Sequence, residues 1–157
     1  MRTRFKLMAL AAVVLMAPPA RADDTADVRA VLQRFDKAYE SLDAAGIAAL
    51  FAPESEAVFF SFDVGDRWTG IPAIKVGLSA DMRRVKSVKI EGQPAAVHVR
   101  GSLAWFERLM VMNVVVREGE SSIFARATGV LEKRGSQWFL LQLHISVGAP
   151  RDSAPRD

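Results

Sequence analysis

Two side chains offer the most direct chemistry in this sequence. His144 carries an imidazole that titrates near neutral pH, so it can take up and return a proton. Arg126 presents a planar guanidinium that grips a carboxylate through two parallel hydrogen bonds. Together they suit proton-transfer chemistry on a hydrophobic small molecule, with His144 as the acid and base and Arg126 as an orienter or a clamp on an anionic group. Each also has a plainer reading: His144 as a hydrogen-bonded histidine that fixes its strand, Arg126 as the cross-strand partner of Glu107 or Glu132. Thr128 shares the face of Arg126, and Gln142 and Ser146 share the face of His144, if their segments are strands with side chains alternating between faces. Trp105, like Trp68 and Trp138, reads as a core or interface aromatic or as a surface on which a ligand stacks. Tyr39 reads as a hydroxyl aimed into a pocket or as a satisfied core tyrosine.

Other chemical templates fail on inventory. Zero Cys excludes disulfides, thiolate metal sites and cysteine nucleophiles. Gly77-Leu78-Ser79-Ala80-Asp81 lacks the second glycine of a nucleophile elbow. No dinucleotide fingerprint and no phosphate-binding loop is present, so no cofactor is expected. Metal ligation would rest on His98 and His144 without the spacing that brings ligands together, so no metal is expected either. His98 alternates with valines in Val97-His98-Val99 and reads as solvent-facing.

The elements that must position these groups begin after a leader. Arg2, Arg4 and Lys6 precede the apolar run Leu7 to Met16, then Pro18 and Pro19, then Ala20-Arg21-Ala22. This is the three-part layout of a secretory signal, with cleavage expected after Ala22. The apolar run is far short of the ~20 residues that a spanning helix needs. The expected product is periplasmic or secreted, with no membrane attachment. The chain has 21 basic and 18 acidic residues, and four of the basic ones but no acid lie in residues 1–22. The remainder is therefore slightly acidic and lacks the basic face that a nucleic-acid partner requires. No nucleic-acid partner is expected.

Residues 23–148 read as one domain and 149–157, where Ala-Pro-Arg-Asp occurs twice, as a disordered tail. Val28, Val31, Leu32, Phe35, Ala38, Tyr39 and Leu42 form one stripe of a long helix over 23–42, with Asp24 or Thr25 as its cap. Asp43 caps a short helix over 44–51 that Pro53 ends. The aromatic, β-branched segment 57–64 predicts a strand, and the glycine-flanked segment 65–70 a turn. A third helix is expected from Ile71 to about Met82. Strands follow at 87–91, 95–100, 103–117, 122–133 and 137–147, the last three joined by short Gly-containing links. Helices followed by an antiparallel meander make an α+β fold with the helices on one face of the sheet.

Four pieces in this order resemble the SnoaL-like branch of the nuclear transport factor 2-like superfamily. They are Leu42 to Pro53 after the first helix; Arg67-Trp68-Thr69-Gly70 before the third; Ala125-Arg126-Ala127-Thr128-Gly129-Val130-Leu131 in the penultimate strand; and Trp138 through His144-Ile145-Ser146 in the last. The last piece is also similar to the association domain of calcium/calmodulin-dependent kinases. The resemblance implies N-terminal helices on a strongly curved antiparallel sheet (the cystatin-like cone), a pocket between them, and commonly a homodimer. It implies no particular reaction, since relatives include isomerases, cyclases, dehydratases and binding modules. Ketosteroid isomerase chemistry needs a carboxylate base and an acidic donor. Laid on that family, the chain offers Phe35 for the donor and Phe59 or Phe60 for the base, and a phenyl ring does neither job.

Three functions follow as expectations. The preferred one is a non-catalytic, exported, dimeric module that holds a small, partly apolar molecule in the cone. The alternative is an acid/base enzyme working through His144, and the second alternative is an oligomerisation scaffold. Which sheet face lines the cone stays open: the helices or a partner's sheet could cover the apolar set Phe139, Leu141, Leu143, Ile145 and Val147. Met110, Met112, Val114 and Val116 on one face of the long strand favour the dimer.

Overall fold

The computed structural model describes residues 22–53, 56–63 and 65–147. The leader expected over residues 1–22, its last residue apart, and the tail expected over 149–157 lie outside them. Among the described residues no helix is long and apolar enough to cross a membrane.

Helix α1 (Ala22–Glu40) buries the predicted stripe: Val28, Val31, Leu32, Phe35 and Tyr39 all lie in the core. Asp24 is not its cap. It sits within the first turn, buried, where its carboxylate meets the Lys133 ammonium. In the turn that follows stands Leu42, a non-glycine residue in the left-handed region (φ 56°). Asp43 then caps α2 (Ala44–Ala48), its Oδ1 accepting from the Gly46 N–H at 2.8 Å.

Strand β1 (Val58–Phe60) is shorter than predicted, and residues 65–70 are not simply a turn. Arg67–Thr69 form strand β2, antiparallel to β1, with Trp68 opposite Phe59 and their rings edge to face at 5.4 Å. Helix α3 (Ile71–Met82) turns Ile74, Leu78 and Met82 inward. The Trp68 indole lies against its Gly77, where a β-carbon would fall 2.2 Å from the ring.

Strands β3 (Val85–Gly92), β4 (Ala96–Arg100), β5 (Leu103–Val116), β6 (Glu120–Arg134) and β7 (Gln137–Val147) complete one seven-stranded sheet. The order is β2-β1-β7-β6-β5-β3, with β4 also on β5. Two features depart from a plain meander. β5 is long enough to take β4 along its first half and β3 along its second, and β1 joins β7 in parallel, making the sheet mixed. The helices pack on one face, against Phe106, Met110, Met112, Ala125, Ala127, Leu131, Leu143 and Ile145.

Strict alternation along β7 fails. The β6–β7 register passes from Val130↔Gln142 to Leu131↔Leu140, leaving Leu141 as an unpaired bulge residue. Trp138 and Leu140 before the bulge, and Leu143 and Ile145 after it, therefore all point to the helices. The expected division into a mixed and a wholly apolar face is corrected accordingly. Met110 and Met112 are core residues as well, which removes the support they gave to a dimer face. The opposite face of the sheet instead exposes Leu109 and Phe124, at 68% and 72% of their surfaces.

Candidate functional site

At the end of the helical layer where α1 and α3 both terminate, packing leaves a cavity of about 160 Å³. Tyr39 and Leu42 border it from α1, Asp81 and Met82 from α3, and Ser61, Phe62, Asp63 and Asp66 from the β1–β2 connection. Its floor is Val85, Val88, Met112, Val114 and Ile123 from three strands. The left-handed Leu42 stands at this border, consistent with strain gathering at functional places.

The walls are mostly apolar, and the polar groups converge at one side. Tyr39 and Ser61 are each only 7% exposed. Neither hydroxyl has a hydrogen-bond partner among the described residues, and neither oxygen is sealed away from solvent. Burial first, and the charge of Asp81 second, push the Tyr39 pKa upward, so its phenol is a neutral donor. Asp81 is held above the usual carboxylate range, first by burial and then by Asp66 and Asp63, with Arg84 opposing. A carboxyl so placed beside a phenol can accept and return a proton, or it can hold a donor.

The upward shift has a signed consequence. The ionised form of Asp81 is disfavoured by the fold, so the folded state binds its proton first as pH falls, and stability is lost as pH rises through the carboxylate range. Asp81→Asn is expected to raise the melting temperature at pH 7. Because water screens this partly buried group, the gain is about 2 °C, as a few tenths of a kcal/mol give to a domain of this size. The gain closes below the carboxylate range, and calorimetric scans at pH 7 and pH 3 check it.

Of the seven residues singled out in the sequence, Tyr39 alone borders this cavity. His144 is exposed on the outer sheet face, edge-on to Phe60 at 5.7 Å, in an open depression with Arg67 and Ser146 that shares Ser61, Phe62, Asp63 and Asp66 with the cavity. Helices, not a partner sheet, cover Leu143 and Ile145, and that sends His144 outward. Arg126 is exposed opposite Leu109 and Ser146, and Thr128 lies between Glu107 and His144. Arg126 pairs with neither proposed glutamate: Glu107 meets His98 at 3.2 Å and Glu132 meets Arg134 at 2.7 Å. Gln142 and Ser146 are half-buried, and Trp105 stacks on His98 at 5.2 Å on the outer face. Arg126 and His144 thus share the outer face and do not meet in the cavity.

The sequence reading missed Ser61, Asp63, Asp66 and Asp81. A signal existed for one of them. Ile74, Leu78, Asp81 and Met82 follow helical spacing, so Asp81 is a carboxylate on an apolar stripe.

With the geometry in hand, the comparisons agree on the fold. The SnoaL-like domain family matches residues 28–150. A protein of Pseudomonas putida KT2440 described as NTF2-like and of unknown function superposes with a TM-score of 0.72 at 21% identity, over 87% of this chain and 95% of that one. A protein with a cystatin-like fold from Caulobacter vibrioides gives 0.69 at 19%, over 82% and 92%. A candidate aromatic ring hydroxylase of Novosphingobium aromaticivorans gives 0.74 at 14%, over 83% and 93%. At these identities the likeness is one of fold. No curated protein matches the chain in sequence.

Proposed function

We propose, from the premise that the chain belongs to the SnoaL-like family, that it binds one small, largely apolar molecule in the cavity between α1, α3 and the sheet. The observation that carries this reading is an apolar cavity bordered by two buried residues, Tyr39 and Ser61, whose hydroxyls no described residue partners. A ligand with a polar end would give these hydroxyls the partner that the protein does not, while its apolar body fills the apolar walls. The volume limits the guest. About 160 Å³ is close to the space that holds a single benzene ring, so a monocyclic molecule fits.

Blocking the cavity tests the reading. Val114 lines it on β5, and Val114→Trp sends an indole into its space. Titration with 2-phenylethanol, followed by ligand-detected NMR, should show saturable binding to the native protein and a loss of about tenfold or more in the variant. Equal binding to both, or none to the native protein, would sink the proposal.

The homodimer and the export expected from sequence belong to the same proposal. Leu109 and Phe124, both largely exposed on the outer sheet face, suit a second copy, and residues 1–22 suit a cleaved leader that places the module in the periplasm or outside the cell. A monomer mass by light scattering, or an N-terminus of the isolated protein other than Asp23, would count against them.

A further inference from the structure

The polar side of the cavity carries a charge pattern that goes beyond a binding role. Three carboxylates, those of Asp63, Asp66 and Asp81, border the space, and no basic side chain does. Arg84 is near enough to Asp81 to oppose its shift but is not among the bordering residues. The carboxylates come from two separate elements, Asp63 and Asp66 from the β1–β2 connection and Asp81 from the last turn of α3. The fold therefore converges them, and they do not belong to one acidic run. Tyr39, a side chain more than nine-tenths buried whose hydroxyl has no partner among the described residues, borders the same space.

From this placement we infer that the cavity selects a small arylalkylamine, its ring among Val88, Met112 and Val114 and its ammonium among Asp63, Asp66 and Asp81. The inference rests on the binding function proposed above and adds the sign of the ligand's charge. An ammonium offers donors to every acceptor at the polar side, and its charge offsets carboxylates that otherwise repel one another. An anionic ligand would leave water to sit beside three like charges, which like-charge juxtaposition penalises. The expectation drawn from Arg126, a clamp on a ligand's carboxylate, is thus reversed, because Arg126 lies on the other face of the sheet.

Three probes of similar shape separate the terms: 2-phenylethylamine as the cation, 2-phenylethanol as the neutral analogue and phenylacetate as the anion. Calorimetric titration of the full protein at pH 7 should rank them in that order. The amine is expected to bind about tenfold more tightly than the alcohol, a modest ratio because the carboxylates are partly solvated. Asp81→Asn should remove most of that ratio by weakening the amine far more than the alcohol, and a cooperative melting curve shows that the variant is folded. Asp63→Asn, on an exposed position, should give a smaller loss in the same direction and serves if Asp81→Asn does not fold. Alcohol and amine binding equally, or phenylacetate binding best, would overturn the charge selection and leave the binding function standing. The same holds for a ratio that neither substitution changes. Failure of all three probes to bind would remove the binding function and this inference with it.

Discussion

Asp36→Ala is expected to destabilise the domain by about 3 kcal/mol, the low end of the cost of breaking a buried ion pair by removing one partner. Asp36 on α1 receives both terminal nitrogens of Arg108 on β5, Nη1 to Oδ2 at 2.8 Å and Nη2 to Oδ1 at 2.6 Å. The Arg108 side chain is only 9% exposed and its Nε already has no hydrogen-bond partner. Without Asp36, a guanidinium that cannot shed its proton is left in the helix–sheet interface. The cost stays at the low end because Asp36 is 28% exposed and borders a cleft that water can enter. Arg108→Ala should cost less, since the orphaned carboxylate can turn to that water. Pairing Asp36→Leu with Arg108→Met should recover most of the loss, because an apolar pair of similar shape has no charge to desolvate. Urea unfolding of the two alanine variants and the pair decides it: a pair no better than Asp36→Ala alone would show that shape, not charge, carries the contact.

How far the sequence discloses this molecule depends on whether a feature is local. The α1 stripe, the Asp43 cap, the span of α3 and the three long strands were all legible, because each rests on periodicity or on a neighbour within a few residues. Strand β2 was not. Its three residues lie between Gly65 and Gly70, and glycines flanking so short a segment read as a turn. The parallel partnership of β1 with β7 joins residues 58–60 to 142–144, a distance over which no pattern speaks. Most consequential was Leu141. One unpaired residue reverses the faces of everything after it, and it alone separates an inward His144 from the outward one observed.

The site divides along the same line. Tyr39 was legible because its helical phase put it on the buried stripe, whereas Asp63 and Asp66 belong to an irregular connection whose direction no period fixes. Asp81 was within reach, yet it was weighed as the end of a failed nucleophile motif and not as a charge on an apolar stripe. The residues richest in chemistry, His144 and Arg126, drew attention by type. Type says what a group can do, and only packing says whether anything enclosed is there for it to act on.

Gly129→Ala is expected to cost as much as the Asp36 substitution, about 3 kcal/mol, the upper end for one added methyl in a filled interior. Gly129 faces the core in mid-β6, between buried Ala127 and Leu131. A β-carbon there would fall 2.6 Å from Cε1 of Phe106 and 2.7 Å from the carbonyl oxygen of Gln142. These two contacts differ in kind. Phe106 sits across from Gly129 on β5 and covers the bare backbone, an aromatic ring lying over a strand glycine. Its ring can retreat, at the price of packing elsewhere in the core. The Gln142 carbonyl belongs to the β7 backbone immediately beyond the bulge, and moving it disturbs the pairing that sets which residues face the helices. Phe106→Leu in the Gly129→Ala background should therefore return part of the stability and not all of it. The residue left over measures the backbone contact, which no side-chain change relieves. Full recovery would mean that the ring alone requires the glycine, and a harmless Gly129→Ala would mean that β6 and β7 slide past the added methyl without cost. The outcome bears on function because the same register keeps Leu143 and Ile145 under the helices and leaves His144 off the lining of the cavity between Tyr39 and Asp81.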